Sequence, residues 1–202
     1  MCQHIFFLRH GEVVQGGYIL GQSIDPPLSP EGIQQAKRWA EALHGIPFQV
    51  VISSNALRTQ QMAEPFLQKG IPHLPLPHFH EMHWGSWEGQ PYTSLHQDIQ
   101  KLRNAWKEGK LDYAPPEGES LLNLLNRAQE GLRLVSGLYP AGNLLIITHG
   151  QLLRVLLCAL MGYPLSEQDR FHHKRGQLSW AVRLPDGSFY LRALAVDADT
   201  PL

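Results

Sequence analysis

The sequence predicts a three-layer α/β/α sandwich around a mostly parallel mixed sheet. Three short apolar runs typical of buried strands, Ile5–Leu8, Val50–Ile52 and Leu144–Ile147, alternate with segments of helical apolar spacing. This alternation favours a parallel sheet with helices on both faces. Two later strand-like runs flank Pro185-Asp186-Gly187, a turn that predicts an antiparallel hairpin.

Start and stop signals place the helices. Ser29-Pro30-Glu31 combines a capping hydroxyl, a proline for the first turn and an acid near the positive end of the helix dipole, so it predicts a helix start. Gly70 and Pro72 end a second helix that begins at about residue 56. Further helices are predicted at about 93–107, 120–138 and 152–161, and residues 71–91 are expected to form a loop with a short strand at 74–76.

Length and composition restrict the class of protein. The 202 residues predict a single domain, 1–202, and a formal net charge of -1 disfavours a protein that grips nucleic acid over a basic face. Two cysteines, Cys2 and Cys158, cannot form a disulfide scaffold or a cysteine zinc site. The apolar run Leu152–Met161 is interrupted by Arg154 and is shorter than the roughly 20 residues of a membrane span. The first residues resemble a strand rather than a signal peptide, so a cytoplasmic protein without a membrane partner is expected.

Histidines and arginines follow the predicted strands. Arg9 and His10 come directly after the first strand, His149 after the third, and Arg58 lies in the helix after the second. Because the carboxyl ends of parallel strands meet at one edge of a sheet, we expect these side chains to converge. Arginine forks match phosphate oxygens, and a neutral imidazole can attack phosphorus. The pattern therefore indicates a phosphoryl-transfer site.

Five ordered segments resemble the histidine phosphatase superfamily, also called phosphoglycerate mutase-like. They are Leu8-Arg9-His10-Gly11-Glu12, 25–36, 53–63, 81–89 and 147–150. The resemblance implies the phosphoglycerate mutase-like fold and a reaction that needs no cofactor. It also implies that His10 is the nucleophile, which becomes phosphohistidine, and that Arg9, Arg58 and His149 bind the phosphoryl group. Glu81 would give a proton to the leaving oxygen and then activate water.

Physical chemistry agrees with these implied roles. A transferring phosphoryl group spreads negative charge over its oxygens, and fixed cations stabilise that charge in place of a metal. His10 must attack through an unprotonated nitrogen, so its other nitrogen should donate to a backbone carbonyl. Glu81 must hold a proton near neutral pH, which a neighbouring dianionic phosphate favours. Glu12 and Glu88 are nearby acids that are alternative proton donors.

The sequence departs from the family pattern beside the first motif. Many relatives carry a threonine after the motif's glutamate and an asparagine a few residues later, whereas Val13 and Gly16 stand in this region here. That asparagine usually helps to hold substrate phosphate, so Gln15, Gln22 or Ser23 is expected to replace it. Where many relatives have Arg-Ala, this chain has Arg58-Thr59. Because of these departures, the resemblance does not by itself assign a substrate of the family to this chain.

Two further segments favour the phosphatase branch. Residues 84–89 and 115–120 resemble phosphatases of the family, including α-ribazole phosphatases. The expected function is metal-independent hydrolysis of a small phosphomonoester, with α-ribazole phosphate as one candidate. The alternatives are phosphoglycerate mutase-type transfer and a non-catalytic phosphate-binding protein. Residues 82–120 are expected to be an insertion that covers the pocket, and four aromatic residues of this segment either line the pocket or pack in the core: Trp84, Trp87, Tyr92 and Trp106.

Other histidines raise the alternative of a metal site. The chain has 11 histidines, and His78, His80 and His83 lie close together with a spacing that could hold zinc. No Cys or Asp lies among them, although Glu81 does, and we predict no bound metal. The expected partner is a small phosphorylated substrate, and a homodimer is a further expectation.

Overall fold

The structure is a computed structural model that describes residues 3–14 and 16–202; Cys2 and Gln15, named above, lie outside these ranges. A six-stranded sheet of order β3-β2-β4-β1-β5-β6 organises the described residues. Its strands are β1 (Gln3–Arg9), β2 (Phe48–Ser53), β3 (His73–Pro75), β4 (Gly142–Thr148), β5 (Leu178–Arg183) and β6 (Phe189–Val196). The α-helices are α1 (Pro30–Ala42), α2 (Leu57–Leu67), α3 (His96–Lys107), α4 (Leu121–Leu138) and α5 (Gly150–Leu160).

Strand pairing brings three strand ends to one edge of the sheet. β1 pairs in parallel with β4, and β4 in parallel with β2. Arg9 lies opposite Thr148, and Ser53 lies opposite Ile147, so the residues after all three strands meet. β5 pairs antiparallel with both β1 and β6. The predicted mixed, mostly parallel sheet and its antiparallel hairpin are confirmed.

The central strands separate two hydrophobic cores. Ile5 and Phe7 of β1 pack in a core with apolar residues of α3, α4 and α5. Phe6 and Leu8 face the opposite way and pack in a core with α1 and α2. Alternation of side chains along a strand explains this division, because successive residues point to opposite faces. The predicted three-layer α/β/α arrangement is therefore confirmed.

Serine side chains cap two helix starts, and the one at Ser29 was predicted. Ser29 Oγ accepts a hydrogen bond from Gly32 N at 3.1 Å, and Ser120 Oγ accepts from Asn123 N at 3.2 Å. The start of α3 is later than expected because residues before it form turns, in which Ser94 N donates to Pro91 O at 3.2 Å. A 3-10 helix over Leu165–Phe171 was not predicted, since this tighter helix lacks the apolar 3.6-residue period. No helix in residues 3–14 and 16–202 is both long and apolar enough to cross a membrane.

Candidate active site

His10 follows β1 and is almost completely buried, with 3% of its surface exposed. Its Nδ1 lies 2.8 Å from the carbonyl oxygen of Gly11. Because a carbonyl oxygen can only accept, Nδ1 carries the proton and Nε2 keeps its lone pair. Burial lowers the pKa of His10 well below its usual value, and the charges of Arg58 and Arg9 lower it further. The imidazole is therefore neutral at pH 7, and the expected backbone carbonyl partner is confirmed.

His149 lies beside His10 at the start of α5. The two ring centroids are 5.2 Å apart, and His149 is completely buried. Its Nε2 forms a hydrogen bond of 2.8 Å with Ser54 Oγ, which fixes the ring. Burial lowers the pKa of His149 well below its usual value, and Arg58 and His10 lower it further. A second neutral imidazole thus lies beside His10.

Hydrogen bonds to other protein groups hold Arg9 and Arg58 in place, and the Nε of each guanidinium has no partner within the described residues. Arg9 Nη1 donates to His173 O at 2.6 Å. Arg58 is fully buried, and its Nη1 donates to Asp25 Oδ1 at 3.0 Å while its Nη2 donates to Gly21 O at 3.0 Å. These bonds fix both side chains before any substrate binds.

Three buried atoms of this group have no hydrogen-bond partner within the described residues: Arg9 Nε, Arg58 Nε and His149 Nδ1. A buried N–H without an acceptor is costly, and most such groups in proteins are satisfied. Both Nε atoms carry a hydrogen, because guanidinium is always protonated under these conditions. An anion that accepts from them removes the cost and gains charge-assisted hydrogen bonds. The arrangement can therefore bind an anionic oxygen group.

Glu81 is held against the first turn of α5. Its Oε1 accepts hydrogen bonds from Met82 N at 2.9 Å, Gln151 N at 3.2 Å and Leu152 N at 3.3 Å. The carboxylate thereby satisfies backbone N–H groups that a helix start leaves unpaired. Glu81 is 6% exposed and lines the same cleft as His10.

The other two candidate acids have different partners. Glu12 Oε2 lies 2.6 Å from Arg175 Nη1, and Glu88 Oε1 accepts from Trp84 N at 2.9 Å. Neither side chain lines the cleft, whereas Glu81 does. Of the three acids named from the sequence, the structure brings Glu81 to His10.

The cleft extends outward from His10 between α3, α5 and the loop after β1. Trp84 and Tyr92 line it, while Trp87 and Trp106 pack in the core on the same side of the sheet. Sequence reasoning missed a set of lining residues on four segments of the chain, two of them on α5: Tyr18, Arg103, Gln151, Arg154 and Arg175. One signal was present, since Arg154 stands alone as a charge in an apolar helix, one turn after His149.

Comparison of the chain with known proteins identifies its family. The family model of the histidine phosphatase superfamily (branch 1) matches residues 5–197.

The chain belongs to the histidine phosphatase superfamily.

Two curated relatives carry different kinds of name. The adenosylcobalamin/alpha-ribazole phosphatase of Escherichia coli (strain K12) is 27% identical over 181 residues, which cover 88% of each chain. The probable phosphoglycerate mutase GpmB of Yersinia pestis (strain Pestoides F) is 31% identical over 178 residues, which cover 87% of this chain and 82% of the relative. The family and these names support a phosphatase or mutase activity.

Solved structures agree with the family. The alpha-ribazole phosphatase from Shigella flexneri superposes with a TM-score of 0.82 at 26% identity and covers 96% of both chains. A mycobacterial glucosyl-3-phosphoglycerate phosphatase gives a TM-score of 0.86 at 21% identity, covering 98% of this chain and 100% of the other, which shows the shared fold alone.

Gln22 and Ser23, the two predicted substrate contacts that the structure describes, bond to Glu88. Gln22 N donates to Glu88 Oε1 at 3.0 Å, and Ser23 N donates to Glu88 Oε2 at 2.6 Å. Gln22 Nε2 donates to Glu81 O at 3.0 Å. Neither residue lines the cleft, because Glu88 holds them against the segment that carries Glu81. These hydrogen bonds connect Gln22 and Ser23 to the segment of Glu81, their contact with substrate phosphate stays a prediction, and Gln15 lies outside the described residues.

The histidines at 78–83 do not converge in the histidine phosphatase fold. His80 stacks on His149, with ring centroids 5.8 Å apart and planes 9° apart. His83 Nε2 lies 3.9 Å from Glu88 Oε1. Across the described ranges, no three His, Cys, Asp or Glu side chains are grouped to hold a metal ion.

Proposed function

We propose that the chain hydrolyses a small phosphomonoester, without a metal, through a phosphohistidine at His10. One observation carries this proposal. The unprotonated Nε2 of a buried, neutral His10 lies among cationic side chains, and Arg9 Nε and Arg58 Nε are buried without a protein acceptor. A phosphoryl group supplies the oxygens that these donors lack and the phosphorus that a neutral imidazole attacks.

The proposed reaction has two displacements. In the first, the Nε2 lone pair of His10 forms a bond to phosphorus, the bond from phosphorus to the ester oxygen breaks, and the Glu81 carboxyl gives its proton to that oxygen. In the second, water attacks the phosphohistidine, its proton passes to the Glu81 carboxylate, and the bond from phosphorus to nitrogen breaks. His10 returns to its neutral form, and Arg9, Arg58 and His149 stabilise the phosphoryl charge throughout.

The names of the relatives supply substrate candidates. α-Ribazole phosphate is one, because a relative 27% identical over 88% of both chains is named for it. Phosphoglycerate is the other, because a relative 31% identical is named a probable mutase. A mutase returns the phosphoryl group from His10 to a second hydroxyl instead of to water. The same buried site serves both outcomes, so a direct measurement of the product separates them.

The test is steady-state hydrolysis of p-nitrophenyl phosphate and α-ribazole phosphate in excess chelator. Turnover is expected to persist in chelator and to fall to background in His10→Ala. The wild-type chain, quenched during turnover, should carry acid-labile, base-stable phosphate on His10. Interconversion of 2- and 3-phosphoglycerate with little phosphate release would show a mutase instead.

His44→Ala is the matched control, because His44 is exposed and its Nδ1 forms a hydrogen bond with Glu41 O within its own turn. It should retain wild-type turnover. Loss of activity in chelator would show a metal enzyme, and undiminished activity in His10→Ala would place the nucleophile elsewhere. Absence of turnover on every phosphomonoester tested, together with tight phosphate binding, would show a binding protein.

A further inference from the structure

Thr59 begins a series of hydrogen bonds that ends on His149, the second histidine of the site. Its Oγ1 lies 2.8 Å from Ser54 Oγ, and Ser54 Oγ lies 2.8 Å from His149 Nε2. All three side chains are completely buried. Many relatives carry alanine at the position of Thr59, so the series joins a departure from the family pattern to the site.

The hydrogens of this series can be placed one after another, starting at Thr59. Its Oγ1 lies 2.8 Å from Ala56 O. Two oxygens this close need a hydrogen between them, and a carbonyl has none to give, so the single hydroxyl hydrogen of Thr59 lies there. The contact between Thr59 and Ser54 then needs the hydroxyl hydrogen of Ser54. Ser54 has no hydrogen left for His149, so the hydrogen in their contact belongs to His149 Nε2.

Ser54 Oγ is fully satisfied by this arrangement. It gives its hydrogen to Thr59 and accepts from His149 Nε2 and from Ala56 N, the latter at 3.1 Å. A hydroxyl has one hydrogen and two lone pairs, so no further hydrogen bond is open to it. Ser54 therefore acts as an acceptor toward His149 only while Thr59 takes its hydrogen.

His149 Nδ1 is left with a lone pair and no hydrogen. Burial lowers the pKa of His149 well below its usual value, so the ring is neutral in the free site and has one N–H, which lies at Nε2. Nδ1 is buried and has no partner within the described residues. His10 has the opposite tautomer, with its hydrogen on Nδ1. His149 can therefore accept a proton at Nδ1 but has none to donate there.

From this order of hydrogens we infer that Thr59 is a positioning residue: through Ser54 it keeps the hydrogen of His149 on Nε2, so that Nδ1 takes a proton from the bound phosphoryl group. The inference rests on the proposed function. The monoanion of a phosphomonoester brings this proton. Its O–H bond breaks, an N–H bond forms at Nδ1, and the phosphoryl group keeps two negative charges beside an imidazolium. That imidazolium still donates from Nε2 to Ser54, so the series stays intact.

The groups around His149 make this proton depend on the bound anion. Besides burial, four groups lower the pKa of His149: Arg58, His10, His80 and Arg9. Glu81 is an acid near this group, and it accepts hydrogen bonds from Gln151 N and Leu152 N in the first turn of the same helix. A phosphoryl anion adds negative charge among these cations and favours the imidazolium. Proton uptake at His149 is therefore expected when the phosphoryl group binds.

Thr59→Val removes the acceptor of the Ser54 hydrogen and keeps the branched shape of the side chain. Ala56 O keeps a donor in the backbone N of residue 59 at 3.1 Å, and Ser54 O keeps one in Ser53 Oγ at 2.7 Å, so neither carbonyl is left unpaired. The Ser54 hydrogen then turns to His149 Nε2, which moves the imidazole hydrogen to Nδ1. Thr59→Ser restores a hydroxyl and should restore the wild-type arrangement.

Nitrogen NMR of protein with isotope-labelled histidine, recorded without phosphate, tests the position of the hydrogen. His149→Gln identifies the signals of His149 by their loss. Nδ1 should be bare in the wild-type chain and in Thr59→Ser, and protonated in Thr59→Val. Thr200→Val, at an exposed position, is the control for the substitution and should match the wild-type chain. A protonated Nδ1 in the wild-type chain, or one tautomer shared by the wild-type chain and Thr59→Val, overturns the inference.

Added inorganic phosphate tests the proton transfer. His149 should become an imidazolium in the phosphate complex, and in Thr59→Val it should lose this proton at a lower pH, because the Ser54 hydrogen then has no acceptor. The kcat on p-nitrophenyl phosphate should agree between the two chains at acid pH and be about tenfold lower in Thr59→Val at alkaline pH. An equal loss at every pH would show a structural role for Thr59 and overturn the inference.

These outcomes are separable from those of the proposed function. Turnover of p-nitrophenyl phosphate that His10→Ala abolishes, together with pH profiles that coincide in Thr59→Val and the wild-type chain, overturns the role of Thr59 and leaves the phosphatase intact. No turnover on any phosphomonoester removes the proposed function, and the proton transfer inferred for His149 falls with it.

Discussion

Gly150 leaves no room for a side chain beside Arg9: an added Cβ would lie 2.8 Å from the guanidinium carbon and 2.9 Å from Nε. The first residue of α5 is thus in contact with a cation proposed to hold the phosphoryl group. We predict that Gly150→Ala displaces Arg9 and lowers kcat/KM on p-nitrophenyl phosphate by about 100-fold, since small misplacements of a positioning group have effects of this size. Steady-state kinetics measures the loss.

Gly137→Ala is the control for a glycine-to-alanine change in a helix, because nothing lies within 4 Å of its added Cβ in α4. It should keep wild-type kinetics and raise the free energy of unfolding by about 0.5–1 kcal/mol. Wild-type kinetics in Gly150→Ala would mean that Arg9 can move without consequence, and its proposed role would be lost.

Arg127 of α4 holds the backbone that carries Glu81. Its Nη1 donates to His78 O at 2.9 Å and to His80 O at 3.0 Å, and its Nη2 donates to Glu81 O at 3.3 Å. We predict that Arg127→Met displaces Glu81 and so weakens the proposed proton donation by its carboxyl group. A good leaving group such as p-nitrophenolate needs no proton, whereas an alkoxide does, so the loss of kcat should be about tenfold greater on an alkyl phosphate than on p-nitrophenyl phosphate.

The control for Arg127 is Arg133→Met on the same helix, where the exposed arginine side chain donates a hydrogen bond to Gln129 O at 3.3 Å. This variant should leave kcat unchanged on both substrates. Circular dichroism and the thermal midpoint separate this effect from unfolding. An equal loss on both substrates in Arg127→Met would show a general structural role and contradict positioning of Glu81.

His173 makes the stability of the fold depend on pH. It is fully buried, its Nδ1 contacts Phe171 O at 2.9 Å and its Nε2 contacts Ser179 Oγ at 2.7 Å. Burial lowers the pKa of His173 to about 4. In the unfolded chain the pKa of a histidine is about 6.5. Below this pH the unfolded chain binds a proton that the folded chain does not, so the free energy of unfolding decreases as the pH is lowered. From pH 6.5 to 4 the expected loss from this residue is about 3 kcal/mol.

His173→Asn isolates this contribution, because an asparagine does not titrate. Urea unfolding at several pH values between 4 and 7 should show a slope shallower than that of the wild-type chain by about 1.4 kcal/mol per pH unit. His10 and His149 continue to contribute in both chains, since their pKa values are also lowered by burial. Identical slopes would mean that His173 is protonated in the folded chain.

Gly85 connects the segment of Glu81 to the turn before α4. Its φ is +58°, and an added Cβ would lie 1.9 Å from Pro116 O. Gly85→Ala should lower the free energy of unfolding by about 2–4 kcal/mol. Gly109→Ala, with a φ of +85° and nothing within 4 Å, carries the backbone strain without the clash and should cost about 1 kcal/mol. Equal costs in the two variants would show that the contact with Pro116 relaxes freely.

Local signals predicted the frame of the molecule. The caps at Ser29 and Ser120 act on N–H groups three residues away, so the sequence alone reveals them. The apolar runs of β1, β2 and β4 have no polar side to expose, which predicted a sheet covered on both faces. The convergence of His10, His149, Arg9 and Arg58 then followed from the rule that parallel strands end at one edge.

Contacts between residues far apart in the chain could not be predicted from the sequence. Gln22 N donates to Glu88 Oε1, 66 positions away, and no local pattern in the sequence predicts this pairing. Arg103 and Arg175 are charged residues in polar surroundings, which in a sequence are indistinguishable from ordinary surface positions. Only the packing of α3 and the loop before β5 against the cleft separates them from other arginines.

The place of β1 in the sheet has a consequence for synthesis in the cell. Gln3–Arg9 leads into His10 but hydrogen-bonds to β4, at 142–148, on one side and β5, at 178–183, on the other. A nascent chain that has left the ribosome only through α4 therefore presents β1 with both edges unpaired and with neither partner yet available. His10, the proposed nucleophile, is translated before β4 and β5, so the growing polypeptide should have no phosphoryl-transfer activity, and should need protection from aggregation, until β5 emerges.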